Sequence, residues 1–187
     1  MITATQLVEI MPLAVKRAAL YVDPLNRGAQ EFEINTPARR AAWIAQLAVE
    51  SGELIYTSEI ASGVAYNNRA DLGNLDPQAA RIAQAAGVPV GSYWKGHGLI
   101  QITGFYNHQR VAQHFNIPID QVATWLQSPE GAARSAAWFW GWKGLNVLAD
   151  QGDFLSITKR INGGTNGLPQ RMKYWEAAKR VFAASEG

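Results

Sequence analysis

The chain has 187 residues, of which 48% are hydrophobic and 17% charged, with a net charge of +2. At about 150 residues per domain, this length predicts a single domain over residues 1–187. The high apolar fraction excludes a disordered chain. The small basic excess, without dense Lys/Arg runs, argues against a nucleic-acid-binding protein. The chain has no cysteine, which excludes disulfides, thiolate zinc sites and iron-sulfur clusters.

The N-terminal segment lacks the pattern of an export signal. Glu9 interrupts its apolar stretch, and no basic region precedes that stretch. Nowhere does the sequence contain the run of about 18 apolar residues that a membrane-spanning helix needs. We therefore expect neither a signal peptide nor a membrane span.

The N-terminal half of the sequence predicts two helices and a long loop. Thr3 and Gln6 form a capping box before a helix that extends to about Leu20. The residues of 23–28 then break the pattern, and a second helix begins at Thr36 and ends at Gly52. Residues 62–91 are rich in Asn, Gly and Asp, and they predict an irregular loop with one short helix.

The C-terminal half is also helical in pattern. Residues 99–103 alternate between apolar and polar types and are flanked by glycines, which favours a short strand or hairpin. Further helices are predicted over 106–114, 120–126, 129–142, 153–161 and 169–184. The predicted fold class is therefore mainly α, with one small β-hairpin.

Glu50 is the first candidate for chemistry. It follows Trp43 by seven residues and Leu47 by three, so it falls on the apolar stripe of the second predicted helix. Its place near the helix C-terminus and its partial burial both disfavour the ionised form, which suits a general acid. The structural alternative, which the residues leave open, is a buried glutamate that pairs with an arginine or caps a loop.

Glu59 is the candidate for a second carboxylate. It lies nine residues after Glu50 and beyond the end of the helix, where it can face a helix-borne acid across a cleft. Glycosidases need two such groups, held about 6.5–9.5 Å apart in inverting enzymes and about 5 Å apart in retaining ones. Glu53 is the competing partner, but we expect it to face solvent.

Other kinds of site find little support. His97, His108 and His114 lack metal-binding spacing, so no metal site is predicted. Neither a Gly-x-Ser-x-Gly motif nor a phosphate-binding loop occurs. The basic helix over 169–184 could contact an anionic membrane, although docking on the fold by its apolar face is the preferred interpretation.

Several motifs occur together and in a set order. They are AVESG at 48–52, Glu59, YNNRADLGN at 66–74, YWKGHGLIQITG at 93–104 and INGG at 161–164. In this order they resemble the signature of glycoside hydrolase family 19, and the motif at 66–74 is similar to a loop of the single-domain phage endolysins of that family. The resemblance covers about residues 36–175.

The resemblance implies a lysozyme-like α-helical fold with a short β-hairpin, no cofactor, and inverting hydrolysis of β-1,4 bonds in an amino-sugar polymer. Glu50 matches the general acid, Glu59 the general base, and Thr103 the hydroxyl that positions the attacking water. The implied substrate-binding residues are Gln101, Asn107, Asn162, Arg171 and His97. The chain departs from the family pattern at Val49, where the family usually has His, and at His97, where it usually has Arg. The ring of His97 could donate to a carboxylate or to substrate, with a charge that varies near neutral pH.

Our leading hypothesis is an endolysin of the muramidase type, which cleaves peptidoglycan glycan strands and causes bacterial cell lysis. Such a protein is made in the cytoplasm of an infected host bacterium, acts on the periplasmic wall after release, and is expected to be a monomer. One alternative is a chitinase that acts on β-1,4-linked N-acetylglucosamine. An alternative of another class, motivated by the departures at Val49 and His97, is a non-catalytic glycan-binding lysozyme-like protein.

Overall fold

Helices make up nearly all the regular structure of the protein, whose computed structural model describes residues 1–184. The α-helices in this range are α1 (Ala4–Ile10), α2 (Ala18–Glu31), α3 (Pro37–Glu50), α4 (Pro77–Ala85), α5 (Val90–Tyr93), α6 (Phe105–Phe115), α7 (Val122–Gln127), α8 (Pro129–Trp142), α9 (Leu145–Asp150), α10 (Phe154–Asn162) and α11 (Leu168–Ala183). Short 3-10 helices occur at Pro12–Lys16, Val64–Tyr66 and Ala70–Leu72. The mainly α fold class is therefore confirmed.

Helix α3 lies at the centre of the fold. Thr36 caps its N-terminus by accepting a hydrogen bond from Arg39 N at 3.2 Å, and eight consecutive residues, 41–48, are buried. A helix that is buried on all sides must be surrounded by other elements, and α3 packs against α9 and α11. One continuous cluster of buried side chains extends from Ile2 to Phe182.

The first predicted helix is wrong in its bounds. Pro12 begins a 3-10 helix that separates α1 from α2, and α2 continues through Pro24 and Gly28, where a break was expected. Pro24 removes the hydrogen bond to the carbonyl of Leu20, a residue 62% exposed to water. Gly28 does not end the helix, and it lies where α2 packs closely against α8. A Cβ atom there would lie 2.8 Å from Cβ of Ala137.

This close approach predicts that Gly28→Ala destabilises the protein by about 1–3 kcal/mol, although alanine is the better helix former. The added methyl has no room opposite Ala137. In the double variant with Ala137→Gly the methyl moves across the contact, and we expect it to be more stable than the sum of the two single changes. Urea unfolding of the four proteins measures this coupling, and strict additivity would contradict the proposed contact.

The predicted β-hairpin is wrong, because the residues of 1–184 form isolated bridges and no strand in this region. His97 and Ile102 exchange two backbone hydrogen bonds of 3.0 and 2.8 Å. Gly98 and Gln101 have positive φ values of 84° and 56°, so the chain turns back before a ladder can extend. The alternation of apolar and polar residues here belongs to a tight turn.

The remaining elements largely follow the sequence pattern. The second helix, the short helix α4 within the long loop, and the five C-terminal helices are confirmed to within a few residues, whereas α5 and α9 were not predicted. Helix α11 packs on the fold by a buried face that includes Ala178 and Phe182. This agrees with the preferred interpretation of the sequence over 169–184. Within residues 1–184, no helix has both the length and the apolar character needed to cross a bilayer.

Candidate active site

Glu50 is the last residue of α3 and lies where the chain leaves the core. The helix ends in a Schellman motif, in which Glu53 N bonds Ala48 O at 2.8 Å and Gly52 N bonds Val49 O at 3.3 Å. The side chain of Glu50 is 19% exposed, and its Oε1 lies 2.6 Å from Nη2 of Arg171. Glu50 therefore has an arginine partner, as expected for a glutamate with a structural role. Its carboxyl group nevertheless remains partly accessible to solvent.

Arg171 connects Glu50 to a chain of buried polar groups. It is 3% exposed, and its Nη1 donates to Gln46 Oε1 at 2.5 Å. Gln46 in turn donates to the hydroxyl of Thr158 at 2.9 Å. Nε of Arg171 donates to Asn166 O at 3.1 Å. The guanidinium thus fixes the carboxyl group relative to α3, α10 and the loop before α11.

Gln46 was missed by the sequence analysis, although a signal for it exists. It precedes Glu50 by four residues and therefore lies on the same face of α3, in a stretch whose other members are apolar. A buried amide on an apolar stripe must find a hydrogen-bond partner. Its position next to a candidate acid indicates a supporting role for that acid.

Glu59 lies in the loop after α3 and is held through both carboxylate oxygens. Tyr66 donates its hydroxyl to Oε1 at 3.0 Å, and Gly96 N donates to Oε2 at 3.1 Å. The backbone N of Glu59 donates to Gly96 O at 2.8 Å. Burial, and then the hydrogen bond to Glu59, raise the pKa of Tyr66, so this phenol stays protonated and acts as the donor. Tyr66 was not among the predicted site residues.

Three of the predicted polar residues in the turn after Gly96 and the start of α6 are oriented by successive hydrogen bonds to the backbone. Gln101 donates from Nε2 to Gly98 O at 2.9 Å. Thr103 donates its hydroxyl to Gln101 O at 3.0 Å, and Asn107 donates from Nδ2 to Thr103 O at 2.8 Å. These bonds orient the side chains, and all three residues remain half-buried rather than enclosed.

A cavity of about 550 Å³ brings four predicted residues together. Gln101, Thr103 and Asn107 come from the turn and α6, and Asn162 comes from the end of α10. The other lining residues are Leu72, Ile100, Ile102, Arg110, Trp138, Phe139, Trp142, Lys143, Arg160, Ile161 and Gly163. Neither Glu50 nor Glu59 is itself a lining residue, and each is linked to one through its partners. A Cβ atom at Gly96, which holds Glu59, would touch Gln101 at 2.8 Å, and Asn166, which holds Arg171, bonds Asn162.

His97 is not among the residues that line this cavity. It is 4% exposed, and its Nδ1 lies 2.9 Å from Nε2 of His108. Nδ1 of His108 lies 2.8 Å from Gly104 O. A carbonyl only accepts, so His108 carries its proton on Nδ1 and accepts from His97 through Nε2.

Burial is the main cause that lowers the pKa of His97 to about 3, and the charge of Lys95 adds to it. Burial likewise lowers the pKa of His108 to about 4. The expectation that the charge of His97 varies near neutral pH is therefore wrong. The buried pair supports the turn, since the backbone of His97 bridges to both Ser58 and Ile102.

The histidine pair predicts a loss of stability in mild acid. Both rings are neutral in the folded protein above about pH 4, whereas in the unfolded chain they bind protons below about pH 6.5. The unfolded state thus binds more protons in this window, so as pH drops the free energy of unfolding is expected to fall by about 1.4 kcal/mol per pH unit near pH 6.5 and by about 2.7 kcal/mol per unit near pH 5.

Urea unfolding at a series of pH values measures this slope. His108→Gln removes one of the buried titrating groups and should flatten the slope, whereas His114→Gln, at an exposed position, should leave it unchanged. A slope that is equal in wild type and His108→Gln would contradict the assignment.

Glu53 is buried, so the expectation that it faces solvent is wrong. It is 8% exposed, accepts the hydroxyl of Tyr174 at 2.5 Å and accepts Leu13 N at 2.6 Å. The Schellman motif turns its side chain inward, between the N-terminal segment and α11. These partners give Glu53 a structural role that ties the two ends of the chain together.

Within residues 1–184, no three His, Asp or Glu side chains are grouped so that they could hold a metal ion.

Comparison with known sequences gives one informative relative. Over 123 residues the chain is 32% identical to a glycosyl hydrolase family 19 domain-containing protein of Haemophilus influenzae, which covers 64% of this chain and 52% of that protein. The chain thus spans about half the length of this curated relative. No family model matches the sequence.

Comparison with solved structures shows the fold that this chain shares with family 19 chitinases. Chitinase C from Streptomyces griseus aligns with a TM-score of 0.72 and 18% identity, over 96% of this chain and 76% of that chain. A bacterial family 19 chitinase aligns with a TM-score of 0.71 and 16% identity, over 96% and 93%. A class IV family 19 chitinase from Zea mays aligns with a TM-score of 0.62 and 22% identity, over 88% and 80%.

Proposed function

Because the chain is related to glycoside hydrolase family 19 in both sequence and fold, we propose that it is a glycosidase that hydrolyses β-1,4 bonds of an amino-sugar polymer with inversion. The observation that carries the proposal is the placement of two separately held carboxyl groups. Glu50 is held by Arg171, and Glu59 is held by Tyr66 and Gly96. Through Gly96 and through Asn166 respectively, Glu59 and Glu50 are linked to Gln101 and Asn162, which line a cavity of amides and a hydroxyl.

In the proposed reaction, Glu50 in its protonated form gives its proton to the glycosidic oxygen as the bond to the anomeric carbon breaks. Water attacks that carbon from the opposite face, and Glu59 takes the proton that the water loses. Thr103 positions this water. Glu50 ends the step as a carboxylate, which the guanidinium of Arg171 at 2.6 Å stabilises. Proton exchange with solvent then restores both groups.

Two structural features support Glu59 as the base. Tyr66 and Gly96 occupy one lone pair on each oxygen, and a carboxylate offers about four acceptor positions. The carboxylate is thereby fixed in orientation and still has acceptor positions for a water molecule. A base held at both oxygens needs little reorganisation as the proton is transferred.

We further propose that the polymer is bacterial peptidoglycan, cleaved between N-acetylmuramic acid and N-acetylglucosamine as by an endolysin of the muramidase type. The motif at 66–74, similar to a loop of phage endolysins, supports this substrate, and it includes Tyr66, which holds Glu59. In this proposal the protein is made in the cytoplasm of a phage-infected bacterium and reaches the periplasmic wall at lysis.

A chitinase is the second candidate, and the solved structures with the same fold favour it. Their names identify chitinases from a bacterium and a plant. The same two carboxyl groups serve both substrates, so the cleft decides between them. A non-catalytic glycan-binding protein would keep the cleft without turnover, and loss of activity in a Glu50 variant would exclude it.

Product analysis tests the proposed function. Purified Gram-negative sacculi and soluble chito-oligosaccharides are digested in parallel, and mass spectrometry identifies the sugar at each new reducing end. Reducing N-acetylmuramic acid from sacculi is the expected result. Reducing N-acetylglucosamine from sacculi would indicate a glucosaminidase, turnover of chito-oligosaccharides alone would favour the chitinase, and no product from either substrate would contradict the enzyme.

A further inference from the structure

Three of the residues that line the cavity are cationic, namely Arg110 of α6, Lys143 after α8 and Arg160 of α10. We call these three residues the cationic wall. No Asp or Glu lines the cavity, and none of the ion pairs within residues 1–184 includes a member of the wall. The cavity therefore has a positively charged lining with no carboxylate of its own, in a protein whose net charge is only +2.

The wall is held in place rather than left as loose surface side chains. Arg110 donates to Asn107 Oδ1 at 2.9 Å and lies over the ring of Trp142 at 5.3 Å. Nζ of Lys143 lies 4.2 Å from the same ring, and Arg160 donates to Lys143 O at 3.0 Å. These contacts lower the cost of ordering long side chains when an anion binds.

Trp142 is the residue around which the wall is organised. Its ring stacks on Trp138 with centroids 5.2 Å apart and an angle of 18°, and it remains 46% exposed. Trp138 is only 7% exposed, and both tryptophans line the cavity. Trp142 orients two of the cations through their interaction with its π face.

We propose, on the basis of the proposed function, that the cationic wall binds carboxylate groups that branch from the glycan, as those of the peptide stem of peptidoglycan do. A polymer of N-acetylglucosamine is neutral and gives the wall nothing to neutralise, whereas each stem carries several carboxylates. Arginine and lysine at the side of a polar cleft form charge-assisted hydrogen bonds with such groups. The wall thus determines preference for an anionic glycan over a neutral one.

Helix capping does not account for the whole wall. Lys143 is the C-cap of α8, and Arg160 lies in the last turn of α10, where cations stabilise the helix dipole. Arg110 is in the middle of α6, between Phe105 and Phe115, where the dipole offers no such advantage. It nevertheless converges with Lys143 on Trp142.

A binding experiment tests the wall without requiring cleavage. NMR titration measures the affinity of wild type and of the Arg110→Gln/Lys143→Gln double variant for a soluble disaccharide-tetrapeptide and for the same molecule with its carboxyl groups converted to amides. We expect wild type to bind the native ligand about tenfold more tightly than the amidated one, and the double variant to lose this preference. Arg160 is left unchanged because it bonds the backbone of Lys143.

Two further variants separate the wall from general charge attraction. The Lys16→Gln/Lys173→Gln double variant also removes two positive charges, at exposed positions on the N-terminal 3-10 helix and on α11, and should keep the preference. Arg110→Lys with Lys143→Arg keeps both charges and should also keep most of it. A double variant that loses affinity equally for both ligands, or a wild type that binds both equally, would overturn the proposal.

The outcome for the wall is distinguishable from that for the proposed function. If wild type prefers the native ligand but releases no reducing ends from any glycan, the proposed hydrolysis fails and the carboxylate site stands. If wild type cleaves sacculi and binds native and amidated ligands equally, the hydrolase stands and the carboxylate site is wrong.

Discussion

The Glu50→Gln variant is expected to hydrolyse peptidoglycan about 10²–10⁴-fold more slowly than wild type while still binding it. Glutamine has the same size and can keep the contact with Arg171 Nη2, which lies 2.6 Å from Oε1 of Glu50 in the wild-type protein. It has no proton to give to the glycosidic oxygen. Release of reducing ends from sacculi measures the rate, and co-sedimentation with sacculi measures binding.

Glu176→Gln is the matched control for this variant. It makes the same chemical change at a carboxylate of α11 that is 52% exposed and paired with Lys179, so hydrolysis should be unchanged. If Glu50→Gln retained most of the wild-type rate, Glu50 would not be the general acid, and its role would be limited to pairing with Arg171. Loss of binding together with rate would instead indicate a damaged fold.

Arg171→Met is expected to reduce the free energy of unfolding by about 3–5 kcal/mol. Arg171 is 3% exposed and neutralises Glu50, and it also satisfies Gln46 Oε1 and Asn166 O. Methionine fills similar space but leaves a carboxylate and two carbonyl oxygens without their donor. Urea unfolding monitored by tryptophan fluorescence measures the loss.

A double variant tests the reason for this loss. Adding Glu50→Gln removes the uncompensated charge, so we expect it to recover about 1–3 kcal/mol relative to Arg171→Met alone. Arg180→Met, nine residues further along α11 at an exposed position, should change stability by about 0.5 kcal/mol or less. A similarly small effect of Arg171→Met would show that the buried polar chain contributes little.

The parts of the site that follow from local periodicity were predictable. Thr36, the apolar stripe of α3 and Gly52 together place Glu50 at the end of a buried helix, and the structure has it there. The resemblance to glycoside hydrolase family 19, based on motifs rather than on physics, is confirmed by the sequence relative and by the shared fold. The phage endolysin subgroup and the roles of the site residues stay predictions.

The errors arise where distant parts of the chain meet. Gly28 has the pattern of a helix breaker, yet it allows close contact with a helix more than 100 residues away. Glu53 has the pattern of an exposed residue, yet Tyr174 accounts for its burial. From its sequence context His97 was expected to line the cleft, but its ring is buried against that of His108. In each case the partner is distant in the sequence, so no local pattern reports it.

The central claim is that Glu50 and Glu59 act as an inverting pair, and the configuration of the first product tests it most directly. Soluble glycan strands released from sacculi are digested in an NMR tube, and the anomeric proton signals are followed before mutarotation equilibrates them. Inversion of a β-1,4 bond predicts that the α-anomer appears first. If the β-anomer appeared first, the two carboxyl groups would act by retention, and the assignment of Glu59 as a base that activates water would be wrong.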